Sequence, residues 1–190
     1  MSNLRLYADP AFLNRATAFQ AIAACGLRPA PASRLGEARA LAEARIGAGV
    51  APLAALHRLR RLAPASILIF EERSGLTGVL GVLPLTAAGA RALLAGALDL
   101  SAPRRDDIAP GFETADALYA MGIASATRDA ARAVVSGVVR LRQAHAAIPF
   151  YARPVTGDGR RVLIERLRCV PMESGPLMVS PAVEMLGAAA

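Results

Sequence analysis

Apolar and polar positions follow two different periods along this chain, and the changes of period mark its elements. Phe12, Ala16, Phe19 and Ala23 recur at intervals of three or four, which predicts a helix from Asp9 or Pro10 to about Ala24, ended by Gly26. Leu27 to Ala30 reads as short and extended, held by Pro29 and Pro31. Ser33 offers an N-cap for a helix through Glu37, Leu41 and Ile46, which Gly47 and Gly49 break. Pro52 opens another helix with Leu53, Leu56, Leu59 and Leu62 on one side and Arg58 and Arg61 on the other, and Pro64 closes it.

The period then shortens. Ser66 to Glu72 and Leu76 to Leu85 are apolar, β-rich runs joined by Arg73-Ser74-Gly75, the clearest hairpin in the chain. Residues 87–98 form an Ala/Leu helix, and Ser101 to Gly111 is a polar, Pro-containing loop, either solvated or lying over a site. Ala117 to Ala124, flanked by Asp116 and Ser125, suits a central strand covered on both faces. In the helix after it, Ala131, Val134, Val135, Val138 and Leu141 oppose Arg132, Ser136, Arg140 and Gln143. Its valines make it dependent on tertiary packing. Ile148 to Arg153 is a further strand stopped by Pro154, Thr156 and Asp158 can cap a helix burying Val162, Leu163 and Leu167, and Cys169–Met172 and Leu177–Val179 are short final strands. No internal repeat is present.

The stretch Asp116 to Gln143 therefore reads as strand, short polar loop and amphipathic helix. Such a unit offers backbone N–H groups at a helix N-terminus, where an anion is stabilised by hydrogen bonds and the helix dipole. Charge reinforces the point. All 22 basic residues are Arg, against 15 acids, for a net charge of +7. Residues 128–168 hold nine Arg and three acids, so nearly all the excess lies after that loop, a field suited to a polyanionic small molecule or a nucleic acid. The uniform use of Arg fits a coding bias as readily as selection for phosphate contacts. At 190 residues and 54% hydrophobic but 4% aromatic, the chain has length for one domain with an Ala, Leu and Val core, helices packed on a sheet.

Cys25 and Cys169 show neither disulfide nor metal spacing, so no metal site is expected. Ile22-Ala23-Ala24-Cys25 has the look of a lipoprotein cleavage box, but Asp9, Asn14, Arg15 and Gln20 leave it without an apolar stretch in front. The charge-free run Leu76–Ala90 contains Pro84 and falls short of the ~20 residues a spanning helix needs. The expected location is cytoplasmic, with no membrane partner. His57 and His145 read as surface or satisfied side chains, and Tyr119 and Tyr151 as core residues, with Tyr151 a candidate acid.

The order of elements resembles the Gcn5-related N-acetyltransferase (GNAT) family. In that family the loop after the fourth strand has the pattern R/Q-x-x-G-x-G/A, and Arg128-Asp129-Ala130-Ala131-Arg132-Ala133 falls at that place, with Ala131 where the middle Gly stands. Leu27-Arg28-Pro29-Ala30 looks like the first strand, and Phe150–Pro154 followed by Arg161–Leu167 looks like the fifth strand and fourth helix. The resemblance covers roughly residues 27–180, leaving 1–26 as a helical extension and 181–190 as a tail. It implies an α/β (α+β) fold, an acyl-CoA N-acyltransferase-like mixed, mostly antiparallel central sheet flanked by helices. It also implies acetyl-CoA or another acyl-CoA as cosubstrate, held at Arg128, Asp129, Ala130, Ala131, Arg132 and Ala133, with its pantetheine arm along the strand near Met121 and Ile123.

Catalytic residues are harder to assign. The family's helix tyrosine corresponds to Ile164, and the Gly-Phe that commonly ends that helix corresponds to Arg168-Cys169. Candidate carboxylate bases are Glu113 and Asp116 at or before the central strand, and Glu71 and Glu72 at the hairpin. Three functions are compatible with these residues: an N-acyltransferase acting on an amine by direct attack, a catalytically degenerate CoA- or protein-binding module, and an Arg-rich nucleic-acid binder. Against the last, Phe150 and Tyr151 are the only aromatics interleaved with the basic segment. Monomer and homodimer both remain open.

Overall fold

The computed structural model describes residues 20–47, 49–173 and 175–182. Residues 20–23 are helical and lead into a turn at Gly26, whose φ of +77° suits glycine. The rest of the helix expected from Asp9, and residues 183–190 of the expected tail, lie outside the described residues.

Among the described residues, seven strands make one sheet in the order β1 (Arg28–Pro29), β2 (Ile67–Glu72), β3 (Gly75–Leu85), β4 (Ala117–Ser125), β5 (Phe150–Ala152), β7 (Met178–Ser180) and β6 (Val170–Pro171). Every neighbouring pair is antiparallel except β4 and β5. The helices are α1 (Leu35–Ile46), α2 (Leu53–Leu62), α3 (Ala87–Leu94), α4 (Arg128–Ala144) and α5 (Gly157–Glu165). This is the mixed, mostly antiparallel sheet flanked by helices that the sequence leads one to expect.

Two cores, one on each face, explain why the strands read as unbroken apolar runs. On one face Leu68, Leu80, Val82 and Leu118 meet Val134, Val138 and Leu141 of α4. On the other, Ile67, Ile69, Leu83 and Leu85 meet Leu35 and Ala38 of α1 and Leu56 and Leu59 of α2. Burying both faces leaves no polar alternation to write. Helix α4 sits close because position 137 is glycine: a Cβ there would lie 2.2 Å from Leu27 Cδ1. Arg142, near the end of α4 and 2% exposed, donates to Ser180 Oγ (3.0 Å) and to the carbonyls of His145 (2.8 Å) and Pro181 (2.6 Å), tying β7 to the helix.

Several boundaries differ from expectation for local reasons. Ser33 lies inside a 3-10 turn, Ala32–Arg34, so it cannot serve as the extended cap, and Arg34 precedes α1 with no side-chain cap bond. Helix α3 ends at Leu94 rather than 98, because the turn at Gly96 has φ +69°. Strand β5 is Phe150–Ala152 rather than 148–153. Among the described residues, no helix is long and apolar enough to cross a membrane.

Candidate functional site

Strands β4 and β5 pair only from Leu118–Ala120 to Phe150–Ala152. Past Ala152 the chain turns away at Arg153 and Pro154, while β4 continues alone to Ser125 on that side. A proline cannot extend the ladder, so the two parallel strands part there. On its other side β4 carries a bulge: Gly81 faces Gly122 and Val82 faces Ala120, leaving Met121 outside the register with β3.

A cavity of about 450 Å³ opens at this parting, within the ~300–1,000 Å³ range of small-molecule sites. Gly81, Ala120, Gly122, Ala124 and Ala152 line it, and their small side chains leave the space unfilled. One wall comes from α1 and the turn after it, with Arg39, Arg45, Ile46 and Val50; the other from the chain after β5 and from α5, with Arg153, Thr156, Gly159 and Leu163. Ile46 reaches over the bulge, since a Cβ at Gly122 would lie 2.9 Å from its Cδ1.

The chemistry of the lining is specific. Its charged side chains are Arg39, Arg45 and Arg153, and no carboxylate lines it among the described residues. Arg39 pairs with Glu43 at 3.0 Å and donates to the Ala51 carbonyl at 3.3 Å. Tyr119, 8% exposed, is the phenol in the lining. Burial raises its pKa above the ordinary value, and the positive charge of Arg153 partly opposes that rise, so the hydroxyl stays protonated at neutral pH.

Helices α4 and α5 each come after one strand of the parallel pair, so both present their N-termini at the same end of the sheet. Thr127 caps α4, its Oγ1 accepting from the Ala130 N–H at 3.1 Å and donating to Glu72 Oε1 at 2.8 Å. Thr156 caps α5 the same way through the Gly159 N–H at 3.0 Å. The helix expected to carry Ala131 and Arg132 already begins at Arg128, so the run Arg128–Ala133, which the resemblance sets at the loop, is the opening of α4. With the Ala131 N–H bonded to Thr127 O at 3.0 Å, helix geometry leaves the N–H groups of Arg128 and Asp129 without an intrahelical acceptor. The Asp129 carboxylate, paired with Arg132 at 2.9 Å, sits where the dipole favours negative charge, which is why the helix starts this early.

The other expected residues separate clearly. Met121 and Ile123 line the cavity. Arg128, Asp129 and Arg132 are exposed, Ala131 and Ala133 half-buried and Ala130 buried, and none of the six lines the cavity, which ends at Ala124. Glu113 lies in a 3-10 turn, Phe112–Thr114, before β4 begins, at the opposite end of that strand from the parting. Tyr151 is buried in β5 in register with Tyr119 but does not line the cavity, and burial raises its pKa too. Glu71 is held below the usual carboxylate range by the hydrogen bond from Arg28, with Arg34 adding to it. His57 is half-buried on α2; His145, 3% exposed, packs against Phe112 with ring centroids 6.0 Å apart. Sequence reasoning missed the cavity's arginines and gave Tyr119 only a packing role. The available signal was the clustering of Gly81, Ala120, Gly122, Ala124 and Ala152 about one strand.

No protein-family model and no curated protein sequence matches the chain. Among solved structures it is similar to GphF, a GNAT-like decarboxylase in complex with isobutyryl-CoA, with a TM-score of 0.47 and 17% sequence identity over 66% of this chain. The chain spans 64% of the length of that protein.

Proposed function

We propose that this protein is an acyl-CoA-dependent N-acyltransferase, using acetyl-CoA in the first instance, that transfers the acyl group to an amine by direct attack. The observation that carries this reading is the parting of β4 from β5 with a small-residue cavity at the gap and two helix N-termini beside it. An extended thiol arm fits along the free edge of β4. The four steps from Ala124 to Arg128 span at most ~14 Å, so an arm in the gap brings its phosphates to the start of α4. There the free N–H groups of Arg128 and Asp129 and the Arg128 guanidinium receive them. The order of elements, which resembles the GNAT family, supports the same assignment.

The amine nitrogen attacks the thioester carbonyl, the C–S bond breaks, and the thiolate leaves with the bonding pair. Proximity supplies most of the acceleration, and the Met121 backbone, which lies outside the β3 register, polarises the carbonyl. Tyr119, kept protonated by burial, gives its proton to the departing sulfur and recovers one from water afterwards. No carboxylate lines the cavity among the described residues, so the amine's proton passes to water. The same feature favours a second reading, a module that binds acyl-CoA without transfer.

Thermal unfolding with and without acetyl-CoA tests the cofactor, and turnover tests the transfer. Acetyl-CoA at millimolar concentration, well above a micromolar Kd, should stabilise the protein by several kcal/mol, and Arg128→Glu should abolish the shift. No shift at that concentration sinks the cofactor assignment. A shift without turnover of any amine leaves the binding module.

A further inference from the structure

If the protein is an acyltransferase, the acceptor occupies the part of the cavity beneath α1, and the charge there bears on what that acceptor carries; the inference rests on the acyltransferase reading. The charged side chains that line the cavity are all of one sign. Arg39 and Arg45 line it from α1 and Arg153 from the chain after β5, with no Asp or Glu in the lining among the described residues. Arg39 is answered by Glu43 at 3.0 Å. Arg45 and Arg153 form no ion pair among the described residues, so their charges act on whatever enters. They reach it from two different elements, Arg45 from the end of α1 and Arg153 from the chain just after β5.

A polyamine or a lysine side chain brings a second cation into this field and meets only repulsion, with no carboxylate to receive it. A substrate carboxylate instead gains charge-assisted, two-pronged contacts from guanidinium groups. The apolar remainder of the wall, Ile46, Val50, Leu56 and Val79, gives the acceptor's carbon chain a surface to pack on. We propose that the acceptor is an amine that also bears a carboxylate, an amino-acid-like anion held by Arg45 and Arg153, and that the site rejects polycationic amines.

Titration calorimetry of the full chain at low ionic strength tests this without any acyl donor, with succinate as the carboxylate probe and putrescine as its dicationic counterpart of equal carbon number. Succinate should bind and putrescine should not. The Arg45→Gln/Arg153→Gln double variant should weaken succinate at least about tenfold while its melting temperature stays at the wild-type value, both side chains being exposed. Failure of succinate to bind, putrescine binding as tightly, or succinate binding untouched in the double variant each overturns the inference. Acetyl-CoA binding on the same two proteins separates the readings. Succinate bound by a wild type that ignores acetyl-CoA removes the acyltransferase reading and leaves the carboxylate site. Acetyl-CoA bound without succinate removes the inference alone. Loss of acetyl-CoA binding in the double variant assigns both arginines to the cosubstrate's phosphates and also overturns it.

Discussion

Arg142→Met asks how much the buried guanidinium contributes to holding β7, and through it β5 and the cavity wall. Methionine keeps the length and helix propensity of the side chain, so the change isolates the hydrogen bonds. The lost donors serve the His145 carbonyl and Ser180 Oγ inside the protein and the Pro181 carbonyl at its edge. Each buried acceptor left unmet costs about 1–3 kcal/mol. Against this, removing the guanidinium returns part of what burying its charge costs. Two buried acceptors and one at the edge stay behind unmet, and with that partial offset we expect a net loss of about 3 kcal/mol. For a chain of this size that lowers the melting temperature by roughly 6–12 °C, measured by circular dichroism and checked by urea unfolding. Faster amide exchange in residues 178–180 than in β2 should accompany it. A melting temperature within ~2 °C of wild type means burial of the charge cancels its bonds, and Arg142 does not pin β7.

Two glycine-to-alanine changes should have opposite signs. Gly89→Ala sets a Cβ 2.0 Å from the Asp107 carbonyl oxygen, and this backbone, held by the Thr86 N–H at 3.1 Å, cannot rotate away. Overpacking of about 1–3 kcal/mol exceeds the ~1 kcal/mol helix gain, so denaturant midpoints should fall. Gly36→Ala meets nothing within 4 Å and should raise them by ~0.5–1 kcal/mol. Burial pushes the Cys169 thiol up to about 12 from the ordinary 9.0, so it should resist alkylation in the native state. Its raised pKa contributes stability that is whole below pH 9.0 and is lost as pH climbs towards 12, by up to ~1.4 kcal/mol per pH unit. Cys169→Ala should flatten that alkaline slope in urea titrations. Tyr119→Phe should slow acyl transfer by about 10–100-fold with little change in melting temperature, while Tyr151→Phe should leave the rate near wild type.

The fold was legible where single residues decide the backbone. The hairpin was fixed by Arg73-Ser74-Gly75 between two apolar runs, and Gly75 adopts φ +118° at the start of β3. Thr156 was readable as a cap, and Val134 and Val138 of α4 pack against the sheet as their need for tertiary support required. Thr127 two residues ahead of Asp129 carried the same signal for α4, whose start at Arg128 falls inside the run that the resemblance sets at a loop. What stayed hidden depends on strands far apart in sequence. The bulge at Met121 exists only relative to β3, and the cavity requires Gly81, Gly122 and Ala152 to converge from three strands. Glu113 and Tyr151 lie off the cavity for a related reason: Glu113 sits in the turn before β4, and Tyr151 shares a face with Tyr119 but stands one strand further over, placements that periodicity alone does not give.

The proposed function stands or falls on whether an acyl-CoA lies in the gap between β4 and β5. A crystal structure with acetyl-CoA at saturating concentration decides it. Density is expected for the pantetheine arm past Ala120 and Ala152, for the thioester near Met121 and Tyr119, and for the phosphates at the start of α4. Density on another surface, or an empty gap at saturating ligand, contradicts it.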